Sequence, residues 1–314
     1  VYTDGSVHLN HGGTEMGQGL NTKVAQIVAH EFQIDFDAIK ITATTTGKVP
    51  NTSATAASSG TDLNGMAAQT AARTIKTRMT TYLADLHECA AEDVIFSNGT
   101  VRAGKASLSF AEAVKTCYLG RVSLSSTGYY ATPKIHWDSA RVRGRPFYYF
   151  AYGAAVSEVV IDTLPGENRI LRTDILHDAG RSLNPAIDIG QIEGGFVQGA
   201  GWLTTEELVW DGDGRLRTHA PSTYKIPACG DRPKVFNVAL FGAGESLEDT
   251  IHKSNAVGEP PLMLGISVLM AISHALQGLG RAHYPMLAAP ATPDRICFAA
   301  RRPCAPGFRA DQEG

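Results

Sequence analysis

The chain has 314 residues, with 28 lysines and arginines against 31 aspartates and glutamates, a formal net charge of −3. At 43% hydrophobic and 19% charged residues it has the make-up of an ordinary globular protein, with enough chain for one large or two medium cores. No basic run is long enough to track phosphates, which argues against nucleic acid as a partner, and no apolar stretch approaches the roughly 20 residues of a membrane span.

The N-terminal "VYTDGSVHLN" has neither the basic start nor the apolar core of a signal peptide. The 5 cysteines, Cys89, Cys117, Cys229, Cys297 and Cys304, are widely spread and form no Cys-x-x-Cys. Local spacing therefore builds neither a zinc ribbon nor an iron–sulfur cluster, and the thiols read as reduced, in a cytoplasmic protein.

In chain order, alternation in "GSVHLNHGG" predicts a strand ending at two glycines. Leu20, Val24, Ile27 and Val28 then recur at helical spacing, so a helix is expected to about Phe32. "DAIKITATTT" is β-rich. The polar stretch "GKVPNTSATAASSGTDLNG" reads as a loop before a second helix marked by Met66, Thr70, Ile75, Met79 and Leu83. Asn98-Gly99 is the strongest short hairpin signal, and Ser109 with Glu112 makes a capping box for a helix ending near Gly120. Residues 128–145 read as a linker or subdomain border.

Strands are expected in "YGAAVSEVVIDTL" and "ENRILRTDILHDAG", then a helix from Asn184-Pro185 through "AIDIGQIEGGFVQGAGWLTTEEL". "ELVWDG" and "RLRTHA" read as a hairpin turned by Asp213-Gly214, and "KVFNVALF" as a further strand. The closing helix, from Pro260-Pro261 to Gly280, has Leu262, Ile266, Leu269, Ile272 and Leu276 on one stripe. Hairpins mixed with helices point to an α+β fold, and two halves of strands followed by a glycine-interrupted helix suggest a pseudo-repeat.

Familiar motifs fail. His30-Glu31 opens like a zinc-protease helix, but Ile34 stands where the second ligand belongs. "GAGESL" lacks the third glycine of a dinucleotide fingerprint, and no phosphate loop or nucleophile elbow occurs.

Four stretches carry candidate chemistry, each with a plainer alternative. In "GGTEMGQG" glycines let the backbone approach a ligand and aim N–H groups at an anion, and Gln18 adds an amide; a tight strand-to-helix turn would look the same. "VPNTSATAASSG" could lie flat on a cofactor, or be a polar loop. "GQIEGGFVQGAGW" packs several glycines into a helix, which implies close approach of a ligand or of another backbone. Glu259, in "NAVGEPPLML", sits before two prolines, which predicts an extended backbone and a rigid carboxylate. In a dry setting it would suit a general base; the alternative is a solvated turn.

Taken together in this order, these stretches resemble one family, the molybdenum hydroxylases, that is, xanthine dehydrogenases and aldehyde oxidoreductases. "GGTEMGQGLNTK", "PNTSATAAS", "LNPAIDIGQIEGGFVQGAGW", "PSTYKIPA", "AVGEPPLMLG" and "APATPDRI" all look like its molybdopterin-binding region. The resemblance runs from Val1 to about Arg302. "GRPFYYFAYGAAVSEVVID" is closer to the xanthine dehydrogenase branch.

The resemblance implies the fold of that region, with two α+β subdomains (1–130 and 131–302) and a tail (303–314). It implies a molybdenum cofactor (molybdopterin), with Gly17, Gln18 and Gly19 beside the pterin. Ala56, Ala57, Ser58 and Ser59 would lie near the metal, and Gln198 near its oxo ligands. The metal is held by the pterin rather than by protein ligands. Glu259 falls on the catalytic base of a purine hydroxylation, hypoxanthine and xanthine to urate, with water as oxygen source.

An aldehyde or other N-heterocycle substrate is the alternative within the enzyme class, and a non-catalytic binding or assembly fragment the alternative outside it. Partner modules would carry 2Fe-2S clusters, FAD and NAD in a cytoplasmic homodimer. The family's upstream half of the molybdenum region does not occur here, so the chain is expected to be a C-terminal fragment that, isolated, holds little cofactor.

Overall fold

The computed structural model describes residues 1–49, 52–242, 244–279 and 287–301. The expected tail, Pro50 and Asn51 of the hydroxyl-rich loop, and Gly280 of the closing helix lie outside the described residues. The chain divides into two units. The first takes Val1–Phe150, Arg181–Asn184 and Glu245–Ala256; the second takes Ala151–Gly180, Pro185–Gly244 and Val257–Gly314.

In the first unit, β1 (Val7–Leu9) and β2 (Ile39–Ile41) form a short parallel pair. Helix α1 (Leu20–Phe32) buries Leu20, Val24, Ile27, Val28 and Phe32, the face its spacing predicts. It packs against α2 (Gly60–Leu86), which buries Ala68, Ala72, Ile75, Met79 and Leu83. Helix α2 begins earlier than the loop reading expects, because close packing favours glycine in its first turns. A Cβ on Gly65 would lie 2.7 Å from Ile27 Cδ1.

The Asn98-Gly99 turn, with φ of 46° and 74°, joins β3 (Val94–Ser97) to β4 (Thr100–Ala103), and β5 (Ala106–Ser109) completes an antiparallel sheet. Ser109 and Glu112 form the expected capping box on α3 (Phe110–Leu119). The stretch expected as linker holds a small hairpin, β6 (His136–Asp138) with β7 (Arg143–Arg145). Its side chains are almost all exposed, so it has no apolar alternation to betray it.

In the second unit, β8 (Gly153–Ile161) and β9 (Asn168–His177) are antiparallel, and β10 (Val235–Leu240) pairs parallel to β9. Helices α4 (Pro185–Thr204) and α5 (Ile266–Gln277) build the core, with Ile192, Phe196, Val268, Ile272 and Leu276 wholly buried. The Asp213-Gly214 hairpin reduces to a single bridge, Trp210 to Leu216. The closing helix is a 3₁₀ turn over Pro260–Gly265 followed by α5, and the break leaves Ile266 exposed rather than in the stripe.

Together, Pro260–Gln277 make 18 residues of mean hydropathy 1.3, long and apolar enough for a short span, against the expectation of no such stretch. In this unit Val268, Ile272 and Leu276 of that stretch belong to the core. A last helix, α6 (Pro293–Arg301), escapes the sequence reading because its entry is proline-rich; it buries Ile296.

These small sheets and helices, with no closed barrel among the described residues, are the expected α+β architecture. One of its close contacts is backbone on backbone. A Cβ on Gly199 of α4 would sit 2.1 Å from the Leu262 carbonyl oxygen, and one on Gly265 2.5 Å from the Gly199 carbonyl carbon. Gly199→Ala gains about 1 kcal/mol of helix propensity but forces a rigid clash that costs about 1–3 kcal/mol. A lower urea midpoint for the second unit is therefore expected, and an unchanged midpoint would mean the helix and turn can separate freely.

Candidate functional site

In the first unit, the turn between β1 and α1 is closed by one carboxylate. Glu15 Oε1 accepts the N–H groups of Gly17 at 2.8 Å and Gly19 at 3.1 Å, and Oε2 accepts that of Asn21 at 2.9 Å. These donors belong to the head of α1, where a negative charge is favoured. The sequence reading reserved them for a ligand anion; here the chain supplies its own. Partial burial pushes the Glu15 carboxyl up, but the backbone donors Asn21, Gly17 and Gly19 outweigh it and hold the group below its usual range.

Gln18 is bonded at both ends: its Oε1 accepts Met16 N–H at 2.6 Å and its Nε2 donates to the Thr14 carbonyl at 3.0 Å. Gly17 (φ 103°) and Gly19 (φ 78°) are left-handed. A Cβ on Gly17 would meet nothing within 4 Å, so glycine is required there by conformation rather than by crowding. Glu15 went unread as a functional residue; an acid just ahead of a helix N-terminus was the available signal.

The second loop locks onto the first. Thr14 N–H donates to Thr55 Oγ1 at 2.8 Å, and Thr44 Oγ1 donates to the Gly13 carbonyl at 2.7 Å. A Cβ on Gly12 would fall 2.2 Å from Thr52 Oγ1. Ala57 and Ser58 both take left-handed backbones, φ 55° and 52°, a conformation that is costly for residues with a Cβ and recurs at ligand clamps. Ala56 and Ala57 are exposed, while Ser58 and Ser59 are half-buried, with Ser59 Oγ donating to the Ala56 carbonyl at 3.1 Å.

In the second unit, α4 has two glycine faces. Gly195 and Gly199 press against the Pro260–Gly265 turn, as one of the two sequence alternatives requires. Gly190 and Gly194 have open space beyond their Cα atoms and, with Gln198, recur at i, i+4 and i+8 along one side of the helix. Gln198 is exposed at the end of that bare strip. A flat group could approach the backbone there without displacing a side chain.

Glu259 heads the 3₁₀ turn. Its backbone is helical, φ −101° and ψ −35°, not extended as the pre-proline rule predicts. The reason is local: its carbonyl accepts the Leu262 N–H at 3.0 Å, which closes the turn that Pro260 and Pro261 stiffen. The side chain is exposed, so the dry setting expected for it is not found within this unit. The turn's seat on Gly195 and Gly199 fixes where that carboxylate starts. Among the described residues no cluster of three metal-ligating side chains occurs.

The profile of the molybdopterin cofactor-binding domain family matches residues 1–233, and the chain belongs to that family. It is 46% identical over 310 residues to a xanthine dehydrogenase of Oryza sativa subsp. japonica, covering 95% of this chain and 21% of that protein. It is 47% identical over 279 residues to the xanthine dehydrogenase of Dictyostelium discoideum, covering 88% and 19%. The chain thus spans about a fifth of the length of these relatives.

Quinoline 2-oxidoreductase from Pseudomonas putida 86 has the same fold, with TM-score 0.79 at 24% identity over 96% of this chain and 38% of that one. So does the Cu,Mo-CO dehydrogenase, with TM-score 0.79 at 23% identity over 95% and 36%.

Because the bonds it accepts hold the Glu15 carboxyl low, they stabilise the fold above the unfolded carboxyl pKa, roughly 4.3. That contribution is lost as the pH falls through the lower folded value. Glu15→Gln is expected to melt earlier than the parent at pH 7, with the two melting curves converging below about pH 4. A constant offset between them down to pH 3 would show that the carboxylate's charge does not hold the turn.

Proposed function

We propose that this chain supplies the proton-accepting carboxylate and part of the cofactor cradle of a molybdenum hydroxylase of the xanthine dehydrogenase type. Such an enzyme would hydroxylate purines, hypoxanthine and xanthine to urate, with water as the source of oxygen. One observation carries the reading. Glu259 stands at the head of a proline-stiffened turn seated on the glycines of α4, the helix that also bears a bare backbone strip and an exposed Gln198. The 46% identity to xanthine dehydrogenase along 95% of the chain favours purines over aldehydes.

The residues present fit a bound molybdopterin. Gly17, Gln18 and Gly19 would line the pterin. The Gln18 amide can trade its bonds to Met16 and Thr14 for bonds to a ligand edge of like polarity. Ala56, Ala57, Ser58 and Ser59 would offer a wall of small side chains, held in shape by the strained pair at its centre. Gln198 would direct its amide toward the oxygen ligands of the metal.

When bound, the molybdenum cofactor supplies the redox chemistry. Glu259 would take up the proton that the reaction releases, and the stiff turn fixes the backbone from which its carboxylate projects. The upstream half of the molybdenum region, iron–sulfur and FAD modules serving NAD, a homodimeric assembly and a cytoplasmic setting complete the proposal.

Glu259→Gln keeps the shape of the side chain and removes the base. In the cofactor-loaded protein it is expected to lower kcat by ~10²–10⁴-fold while molybdenum content stays at the parent level. Turnover of xanthine close to that of the parent would remove Glu259 from the role of base.

A further inference from the structure

In the first unit, His11 stands just ahead of Gly12 and Gly13, and it is buried. Its Nδ1 accepts the N–H of Gly13 at 3.1 Å. A ring nitrogen that accepts carries no proton, so the neutral imidazole here has its hydrogen on Nε2. Nε2 is buried and makes no hydrogen bond among the described residues, and neither does Asn21 Oδ1. The bond to Gly13 therefore orients the ring.

Gly13 is confined on every side. Its carbonyl accepts Thr44 Oγ1 at 2.7 Å. A Cβ there would fall 2.4 Å from Leu20 Cδ2, at the head of α1, and 2.8 Å from Asn64 Nδ2, in the first turns of α2. With its N–H, carbonyl and Cα all held, the peptide leading to Thr14 has little freedom. Thr14 then sends its N–H to Thr55 Oγ1 at 2.8 Å and takes Gln18 Nε2 on its carbonyl at 3.0 Å. The place of Gln18 is thus traced, bond by bond, back to the His11 ring.

We propose that His11 is a positioning residue for the glycine turn of the proposed cofactor cradle: as a neutral ring it holds the Gly13 N–H on Nδ1, and so sets where Thr14 and Gln18 stand. This inference rests on the reading of the turn as part of a cradle, but the hold on Gly13 is measured without any cofactor.

Protonation reverses the hold. An imidazolium carries a proton on each nitrogen, so Nδ1–H would face the Gly13 N–H, donor against donor. Burial pushes the imidazole below its usual range, and the Asn21 side chain and the Glu15 charge offset this only in part. Lys48 lines the same cavity as His11, with its ammonium bonded to Thr42 Oγ1 and the Ala43 carbonyl, both at 2.7 Å. His8 is exposed, stacked on Tyr2. The ring is therefore neutral at pH 7 and charges only below the usual histidine value, roughly 6.5. The Glu15 carboxyl is held below its usual range, so most of it stays ionised at pH 4.5.

The test is amide hydrogen exchange at Gly13, corrected for the intrinsic effect of pH. In the parent, protection is expected to fall roughly tenfold from pH 7 to pH 4.5, while the amides of Met79 to Leu83 inside α2 keep theirs. Asparagine places Oδ1 where histidine has Nδ1, an acceptor for the same N–H that does not titrate. His11→Asn is expected to match the parent at pH 7 within about twofold and to keep that protection at pH 4.5. Glutamine sets its oxygen one bond further out, so His11→Gln should leave Gly13 about tenfold less protected at both pH values. In the cofactor-loaded protein, His11→Gln is expected to hold about threefold less molybdenum and pterin than the parent, and His11→Asn as much as the parent.

Protection at Gly13 that is independent of pH in the parent would overturn the hold, as would glutamine serving as well as asparagine. Exchange as expected with full molybdenum and pterin in His11→Gln would overturn the positioning role. Should His11→Gln fail to fold, the parent and His11→Asn are compared instead; after holding at pH 4.5 the parent is expected to retain about threefold less molybdenum, and equal retention would overturn the role. If Gln18→Ala keeps both molybdenum and pterin in full, the cradle reading of the turn fails, and the exchange at Gly13 still stands apart from it.

Discussion

Backbone lies directly on backbone where α4 meets the Pro260–Gly265 turn, and the second unit is organised around that contact. Gly199 and Gly265 bring the two main chains closer than any side chain allows, as the 2.1 Å and 2.5 Å approaches of their missing Cβ atoms show. The consequence runs in two directions. The turn is seated there, and within it the bond from Leu262 N–H to the Glu259 carbonyl gives Glu259 a helical backbone ahead of a proline, against its preference. The same helix can then leave its other side, Gly190 and Gly194, open toward Gln198. A helix with this many glycines is a poor helix by propensity. It persists because burial of Ile192 and Phe196 against the sheet compensates.

The first unit solves a related problem by a different route. Its glycine turn does not rely on crowding; Gly17 has open space, and its need is for a left-handed φ. Glu15 then gathers the N–H groups that such a turn exposes, and Gln18 ties the remaining ends. These bonds hold the loop in shape within the chain itself, which limits the ordering entropy that binding would otherwise have to overcome. The left-handed pair Ala57-Ser58 is held beside it by the Thr14–Thr55 bond.

Elements with an apolar period were legible in the sequence. Helix α1 has its expected bounds because Leu20, Val24, Ile27 and Val28 are all buried on one face. The Asn98-Gly99 hairpin and the Ser109–Glu112 cap were readable because each depends on a few adjacent residues. What escaped depends on contacts between distant residues. The first turn of α2 looked like loop because its glycines pack on α1, and the hairpin over β6 and β7 carries no apolar alternation. At the candidate site the glutamine and glycine positions stood out by composition. Glu15 did not, since its partners are backbone N–H groups that no residue pattern announces.

The proposal that this chain forms part of a cofactor cradle implies that the bare strip of α4, which ends at Gln198, borders the cofactor. It is tested most directly by molybdenum and pterin content of a Gly194→Leu variant in the cofactor-loaded protein. A Cβ at Gly194 meets nothing within 4 Å in this chain, and leucine is the better helix former, so thermal stability should hold or rise. The account predicts a well-folded protein that has lost most of its molybdenum and pterin. A well-folded variant with full occupancy of both would contradict it.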